Sequence, residues 1–420
     1  MSINRQADRA ELMRSFYDAS NILRASLQRS RQVGCLGPFV IAIGEILCAS
    51  GFEVDRVNLP ATKLFGFHHP LYAHANITWV PERDHDNITW IPERDVDVEY
   101  IAHSERELTY EEMVERITGS PYEPIFRQEQ VYVRLDLKQG EYTYPLLQNL
   151  QSQGYEDYLG IGLSLPNGTA QPISIASRRP FPPNIIESID LIRPLLSLTL
   201  DSLYQGYAAS SLAQSYIGNL TGPRVLAGDF VRGRTQMIKA GILFCDIRGF
   251  TALSERLGAA GVVSVVNQIF EIIGQVVYTH GGEILKFIGD AVLIIFSDQD
   301  EEQHQAMIES MIDTVRDATQ EVETLGDQLK LPLAIGFGGH IGDVLYGNIG
   351  APMRLDFTVM GPAVNLASRL ESLCKKFNVS AVFSSEVAQG EAPLKPLGSE
   401  PLKGITEPVQ VWGLVEQSST

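Results

Sequence analysis

The 420-residue chain carries 33 Lys and Arg against 51 Asp and Glu, a formal net charge of −18, and 44% of its residues are hydrophobic. That length fits two or three domains, and the apolar content is enough for real cores, so neither wholesale disorder nor a disulfide staple is expected. The acidic balance argues against nucleic-acid and membrane-surface partners, which need clustered Lys and Arg, but leaves open an enzyme that bridges phosphates with metal ions. Cys35, Cys48, Cys245 and Cys374 lie far apart with no CxxC pair. They read as buried thiols of a reducing compartment, without a zinc signature. The amino terminus mixes charges and lacks the apolar run of a signal peptide. No stretch reaches about 18 uninterrupted apolar residues, and Phe39 to Leu47 is too short to cross a bilayer. A cytoplasmic protein with no membrane partner is expected.

Helical periodicity covers Glu11 to Ser30 and Val40 to Ser50. NITWVPERDHD at Asn76 to Asp86 is followed at once by NITWIPERDVD at Asn87 to Asp97. Two copies are too few for a solenoid, so the duplication predicts an extended strand or hairpin. His68, His69, His74, His85 and His103 lie nearby but match no metal or haem ligand spacing, which favours structural roles. Tyr158 to Leu165 and Pro172 to Ala176, flanking Asn167-Gly168, predict a hairpin. These elements make an α+β domain of about 200 residues. A closing hairpin that runs into a long exit helix looks like a GAF-type sensor domain.

The exit helix is marked by apolar residues at Ile185, Ile189, Ile192, Leu196, Leu200, Leu203 and Tyr207, with Asn184 placed to cap it and Pro194 placed to kink it. Such a stripe packs either on its own domain or against a second copy in parallel. Gly218 to Gly233 then reads as a linker. The expected divisions are a regulatory domain at 1–183, a connector at 184–236 and a catalytic domain at 237–420.

Ala240 to Asp246 has a buried-strand pattern, followed by Ile247-Arg-Gly-Phe-Thr251 and a helix with apolar Val262, Val266, Ile269, Ile273 and Val277. A strand ending in Asp before a Gly turn and a helix entry can hold a cation beside phosphates. An Asp there also serves as a cap or turn residue, so this segment alone decides nothing. Glu283 to Phe296 reads as two strands joined at Gly289-Asp290, which puts Asp290 at a tip. Two carboxylates on adjacent strands suit a two-metal phosphoryl or nucleotidyl transfer site, although two unrelated turn aspartates would look the same. Asn365 and Arg369, four apart on a helix starting near Pro362, share one face and suit a ribose contact and an anion clamp. A solvated polar face is the bland reading of that helix.

Taken together, FCDIRGFT, GEILKFIGDA and DFTVMGPAVNLASRLE resemble the catalytic domain of class III nucleotidyl cyclases, over roughly Met237 to Leu414. The resemblance implies a ferredoxin-like α+β palm that dimerises head to tail, with two composite sites. It also implies that Asp246, Asp290 and the carbonyl of Ile247 hold two Mg²⁺ or Mn²⁺ ions, and that Phe250 and Thr251 contact substrate. Asn365 would orient the ribose, Arg369 would meet the α-phosphate and Lys403 the outer phosphates. Lys286 and Thr358 fall at the base-reading positions, where an ammonium can donate to adenine N1 and a hydroxyl can accept from the exocyclic amine. Guanine would want a carboxylate where Lys286 stands. Many adenylyl cyclases carry Asp at the Thr358 position, and the Thr variant also occurs in the family.

The expectation is therefore an adenylate cyclase that makes cyclic AMP from ATP as a homodimer, with an unidentified small-molecule or other signal reaching the amino-terminal domain. The alternatives are a guanylyl cyclase and a non-catalytic nucleotide-sensing module. His280-Gly-Gly-Glu-Ile284 imitates the turn of diguanylate cyclases, but Lys286 and Gly289-Asp290 downstream do not fit that family.

Overall fold

Alternating and helical apolar patterns build two separate sheets, described in a computed structural model for residues 17–30, 36–60, 76–84, 87–92, 118–219, 221–297, 304–389 and 394–414. The chain divides into two units, Met1–Ser211 and Leu212–Thr420. The first holds α1 (17–30), α2 (Gly37–Ala49), β1 (Arg56–Pro60), β2 (Asn76–Asp84), β3 (Asn87–Pro92), α3 (Glu123–Phe126), β4 (Tyr132–Asp136), α4 (Pro145–Ser152), β5 (Asp157–Ser164), β6 (Ala170–Ser177) and most of α5 (Ile185–Ile217). Its strands run β3-β2-β1-β6-β5-β4, all antiparallel to their neighbours.

One face of this sheet, with Val57, Leu59, Leu159, Ile161, Ile173 and Ile175, packs against α1, α2 and the α5 stripe. Ile185, Ile189, Leu196, Leu200 and Leu203 are each at most 1% exposed. The stripe is therefore consumed by its own unit's core, and α5 continues through Pro194. The duplicated segment forms a hairpin: Trp79 pairs with Pro92, Pro81 with Trp90 and Asp84 with Asn87, so each copy supplies one strand. The five flagged histidines and Cys35 lie outside the described residues. Cys245 and Cys374 are buried, but Cys48 is only half-buried, because it sits where the last turn of α2 leaves the core.

The second unit continues with α6 (Thr221–Leu226), β7 (Thr235–Ile247), α7 (Phe250–Thr279), β8 (Glu283–Ile288), β9 (Ala291–Ser297), α8 (His304–Leu329), β10 (Ile335–Ala351), β11 (Arg354–Met360), α9 (Pro362–Phe377), β12 (Ala381–Ser384), β13 (Leu394–Glu400) and β14 (Val409–Leu414). Its strand order is β13-β14-β12-β10-β7-β9-β8, with β11 paired to β10. Side chains alternate across a strand. Leu243, Cys245 and Ile247 of β7 face α7 and α8, while Ala240 and Ile242 face α9. By length and hydropathy α7 is capable of crossing a membrane, which apolar-run counting misses. Here its Val262, Ile269, Ile273 and Val277 lie in the core against the sheet.

The stretch expected to be a linker is instead built into the second unit. Thr221 is fully buried, and its amide donates to Glu283 Oε1 at 3.0 Å. Its hydroxyl lies 2.9 Å from that of Tyr346. The Arg224 guanidinium covers the Tyr346 and Phe357 rings at 5.4 and 5.3 Å. Gly222 permits this, since a methyl there would sit 2.8 Å from the Ala213 carbonyl carbon. Gly222 thus serves close backbone approach, while Gly228 and Gly233 take positive φ in open turns.

Gly338 has the same duty under α9, where a methyl would overlap the Ala367 carbonyl and the Glu371 amide. Replacing Gly338 by Ala should destabilise the protein by about 1–3 kcal/mol through overpacking. Urea denaturation followed by circular dichroism checks this, and a loss too small to resolve would contradict the packing described.

Candidate active site

Asp246 is the penultimate residue of β7, in register with Ala291 of β9 and Gly336 of β10. By alternation its side chain lies on the face covered by α9. Gly289, with φ of 66°, turns β8 into β9 and leaves Asp290 at the corner beside Asp246. The two carboxyl groups are within hydrogen-bonding and charge range of each other. Burial pushes the Asp246 carboxyl above the usual range and the Asp290 charge adds to it, while the Ile247 amide and Arg248 act the other way.

Gly249 adopts a left-handed conformation before α7, which opens with Phe250, half-buried against the core, and exposed Thr251. The Ile247 side chain is buried and its amide faces the Asp246 carboxylate. Among the described residues no group of three or more His, Cys, Asp or Glu side chains forms a closed metal cage. Two adjacent carboxylates fit Mg²⁺ or Mn²⁺, which are commonly held by one or two carboxylates together with substrate phosphates.

Lys286, on β8, is half-buried and forms an ion pair with Asp356 of β11. Thr358, two residues further along β11, is 7% exposed. Lys286 and Asp356 line a cavity of about 1120 Å³ together with Phe230, Tyr278, Phe287 and Met353. Asp246, Asp290, Asn365, Arg369 and Lys403 do not line it. Asn365 is exposed and Arg369 half-buried, one turn apart on α9. Gly404 lies against the Arg369 guanidinium, a methyl there being 3.4 Å from Nη2, which brings the loop of exposed Lys403 beside Arg369. One chain thus gathers the carboxylate pair in one place and Lys286 with Asp356 in another.

Residues 234–412 match the family model of the adenylate and guanylate cyclase catalytic domain. This region is a cyclase catalytic domain. Similar curated proteins include an adenylate cyclase of Anabaena cylindrica, 34% identical over 152 residues, and adenylate cyclase 1 of Rhizobium meliloti, 29% identical over 181 residues. The matches cover 35% and 41% of this chain and 30% and 27% of those relatives, so the chain spans under a third of either. Among solved structures, a bacterial light-regulated adenylyl cyclase aligns with a TM-score of 0.44 at 28% identity, covering 53% of this chain and 64% of its own. The adenylyl cyclase CyaB from P. aeruginosa aligns at 0.41 and 31%, covering 44% and 97%.

Three charged residues that motif reading passes over stand beside the two groups of site residues, Asp356 beside Lys286, and Glu371 and Arg248 beside the carboxylate pair. Asp356 holds Lys286. Glu371 of α9 lies within charge range of Asp246 and Asp290. Burial first, and then the Asp246 charge, raise its carboxyl to about 7 against the opposing Arg248. The Arg248 Nη2 donates to the Val379 carbonyl at 2.9 Å, while its buried Nε has no hydrogen-bond partner. The alternating Gly336 and Gly338 in β10 were the signal available: they mark where Arg248 and α9 press onto the sheet beside Asp246.

An acid whose folded pKa is raised binds more protons folded than unfolded, so its contribution to stability is present below the unfolded value and lost as pH rises through the folded one. Metal-free protein should therefore lose Tm as pH rises from 4.5 to about 7. Glu371→Gln should flatten that decline. Thermal denaturation across this window compares the two slopes, and parallel slopes would contradict the raised Glu371 carboxyl.

Proposed function

We propose that the cyclase domain converts ATP to 3′,5′-cyclic AMP and pyrophosphate in a homodimer with composite interface sites, under control of a GAF-like amino-terminal unit. The observation that carries this reading is the Asp246–Asp290 pair, held within a cyclase catalytic domain. In the reaction the ribose 3′-oxygen bonds to the α-phosphorus, the bond from that phosphorus to the oxygen bridging the β-phosphate breaks, and pyrophosphate leaves. The hydroxyl proton passes to solvent.

Mg²⁺ or Mn²⁺ bound there would acidify the 3′-hydroxyl and neutralise triphosphate charge. Asp246 and Asp290, with the Ile247 carbonyl, hold and orient that charge. Asn365 positions the ribose, and Arg369 offers a planar two-pronged donor where charge builds on the α-phosphate. Lys403 meets the outer phosphates from the loop beside Arg369, and Phe250 and Thr251 line the approach at the start of α7. Lys286 donates to adenine N1 while Thr358 accepts from the exocyclic amine. The homodimer is supported by the separation within one chain. The charges acting on Asp246 come from Asp290 and Arg248, not from Arg369, and Lys286 opens onto a cavity the carboxylate pair does not line.

Asp246→Asn or Asp290→Asn should lower cyclic AMP formation by roughly 100-fold or more, the scale lost with a main electrostatic contributor. Either change should also raise the Tm of metal-free protein, because it removes like-charge repulsion. Purified dimer that binds ATP with Mn²⁺ yet makes no cyclic AMP would defeat the enzyme reading. Comparable kcat/KM for GTP and ATP would defeat the base assignment. Removing residues 1–211, the whole first unit, should change the basal rate of the remainder, and an unchanged rate would count against control by that unit.

A further inference from the structure

A lysine ammonium on a flexible four-carbon stem is a poor reader of a base edge unless something fixes it. Thr358 offers only a neutral hydroxyl for that task. The carboxylate beside Lys286 comes from Asp356, two positions earlier on β11 and so on the same face of the strand as Thr358. In register, Asp356 lies opposite Ile349 and Thr358 opposite Gly347. The Lys286 side chain is 28% exposed and that of Asp356 55%, and both open onto the same cavity. A ligand entering the cavity therefore meets a fixed donor with a charged acceptor at its side.

The geometry points to Asp356 as the positioning and base-selecting carboxylate of this site. It holds the Lys286 ammonium where adenine N1 arrives, and it supplies the charge that the Thr358 hydroxyl lacks. This rests on the proposed ATP-cyclising activity. A half-exposed ion pair contributes little to folding stability, so removing this one should leave the fold intact while loosening the lysine.

The test uses the full chain and its Asp356→Asn and Asp356→Glu variants. Steady-state kcat/KM for ATP and GTP is measured with Mn²⁺. Equilibrium binding of 3′-deoxy-ATP and 3′-deoxy-GTP, which lack the attacking hydroxyl, is measured alongside. Asp356→Asn should lower the ATP-to-GTP ratio of kcat/KM about tenfold, as expected when a site built to pair polar groups loses one partner. Most of the change should be a rise in KM for ATP. The binding ratio of the deoxy analogues should fall in step, and Asp356→Glu should recover much of both. Ratios within about twofold of the parent in Asp356→Asn would overturn the assignment. If the parent cyclises neither nucleotide, the cyclase reading fails, and the assignment is still decided by the binding ratio of the deoxy analogues.

Discussion

Asp246 and Asp290 are like charges forced together by strand register, and the cyclase domain is arranged around keeping them there. Two carboxylates about 4 Å apart repel by roughly 1 kcal/mol in bulk water and roughly 4 kcal/mol near a protein surface. The sheet supplies the restraint. Thirteen residue pairs tie β7 to β10 and seven tie β7 to β9, so the end of β7 cannot retreat. The Gly289 turn brings Asp290 to the same corner. Burial first, and then this crowding of negative charge, raise the Asp246 and Glu371 carboxyls above the usual carboxylate range.

Strands β8 and β11, which carry Lys286 and Thr358, are braced by a different device. Glu283, three residues before Lys286 on β8, is 5% exposed and accepts from the Thr221 amide. Tyr346 also donates to Glu283, at 3.4 Å, so lifting α6 away would strip this buried carboxylate of one of its partners, which is costly. Arg224 lies over Tyr346 and Phe357, and Phe357 is the neighbour of Thr358. The Asn348 side chain donates to the Asp229 carbonyl at 2.8 Å. The segment 218–233 is thereby part of the same packed unit as β8, β10 and β11.

What was legible in the sequence was periodic or punctuated. The β8–β9 turn, the start of α9 at Pro362, the α5 stripe and the duplicated hairpin all follow from alternation, helical spacing or turn residues. Asp246, Asp290, Asn365 and Arg369 were visible as polar residues set into those patterns. What was not legible depended on pairing across the fold. Asp356 and Lys286 are 70 positions apart, and only the route of β11 brings them together. Glu371 reads as an ordinary helix carboxylate until Gly336 and Gly338 are understood as clearance for Arg248 and α9. Gly222 reads as a linker glycine for the same reason, since composition does not separate a glycine used for a turn, as at Gly228 and Gly233, from one used for close backbone approach.

Charge bookkeeping at the site gives the chain's acidity a local meaning. Lys286 is engaged by Asp356, and Arg248 lies among Asp246, Glu371 and the Val379 carbonyl. Among the described residues, Arg369 and Lys403 take part in no ion pair. Two such cations cannot offset a nucleoside triphosphate of about four negative charges in a site that already holds crowded carboxylates. On the proposed reading, a triphosphate would arrive with its own divalent cations, and the crowded carboxylates would become an asset, because cation binding would relieve their repulsion. An acidic chain can take a polyanionic nucleotide on those terms, while an extended polyanion, which must be met by a broad basic surface, finds no such surface in its composition.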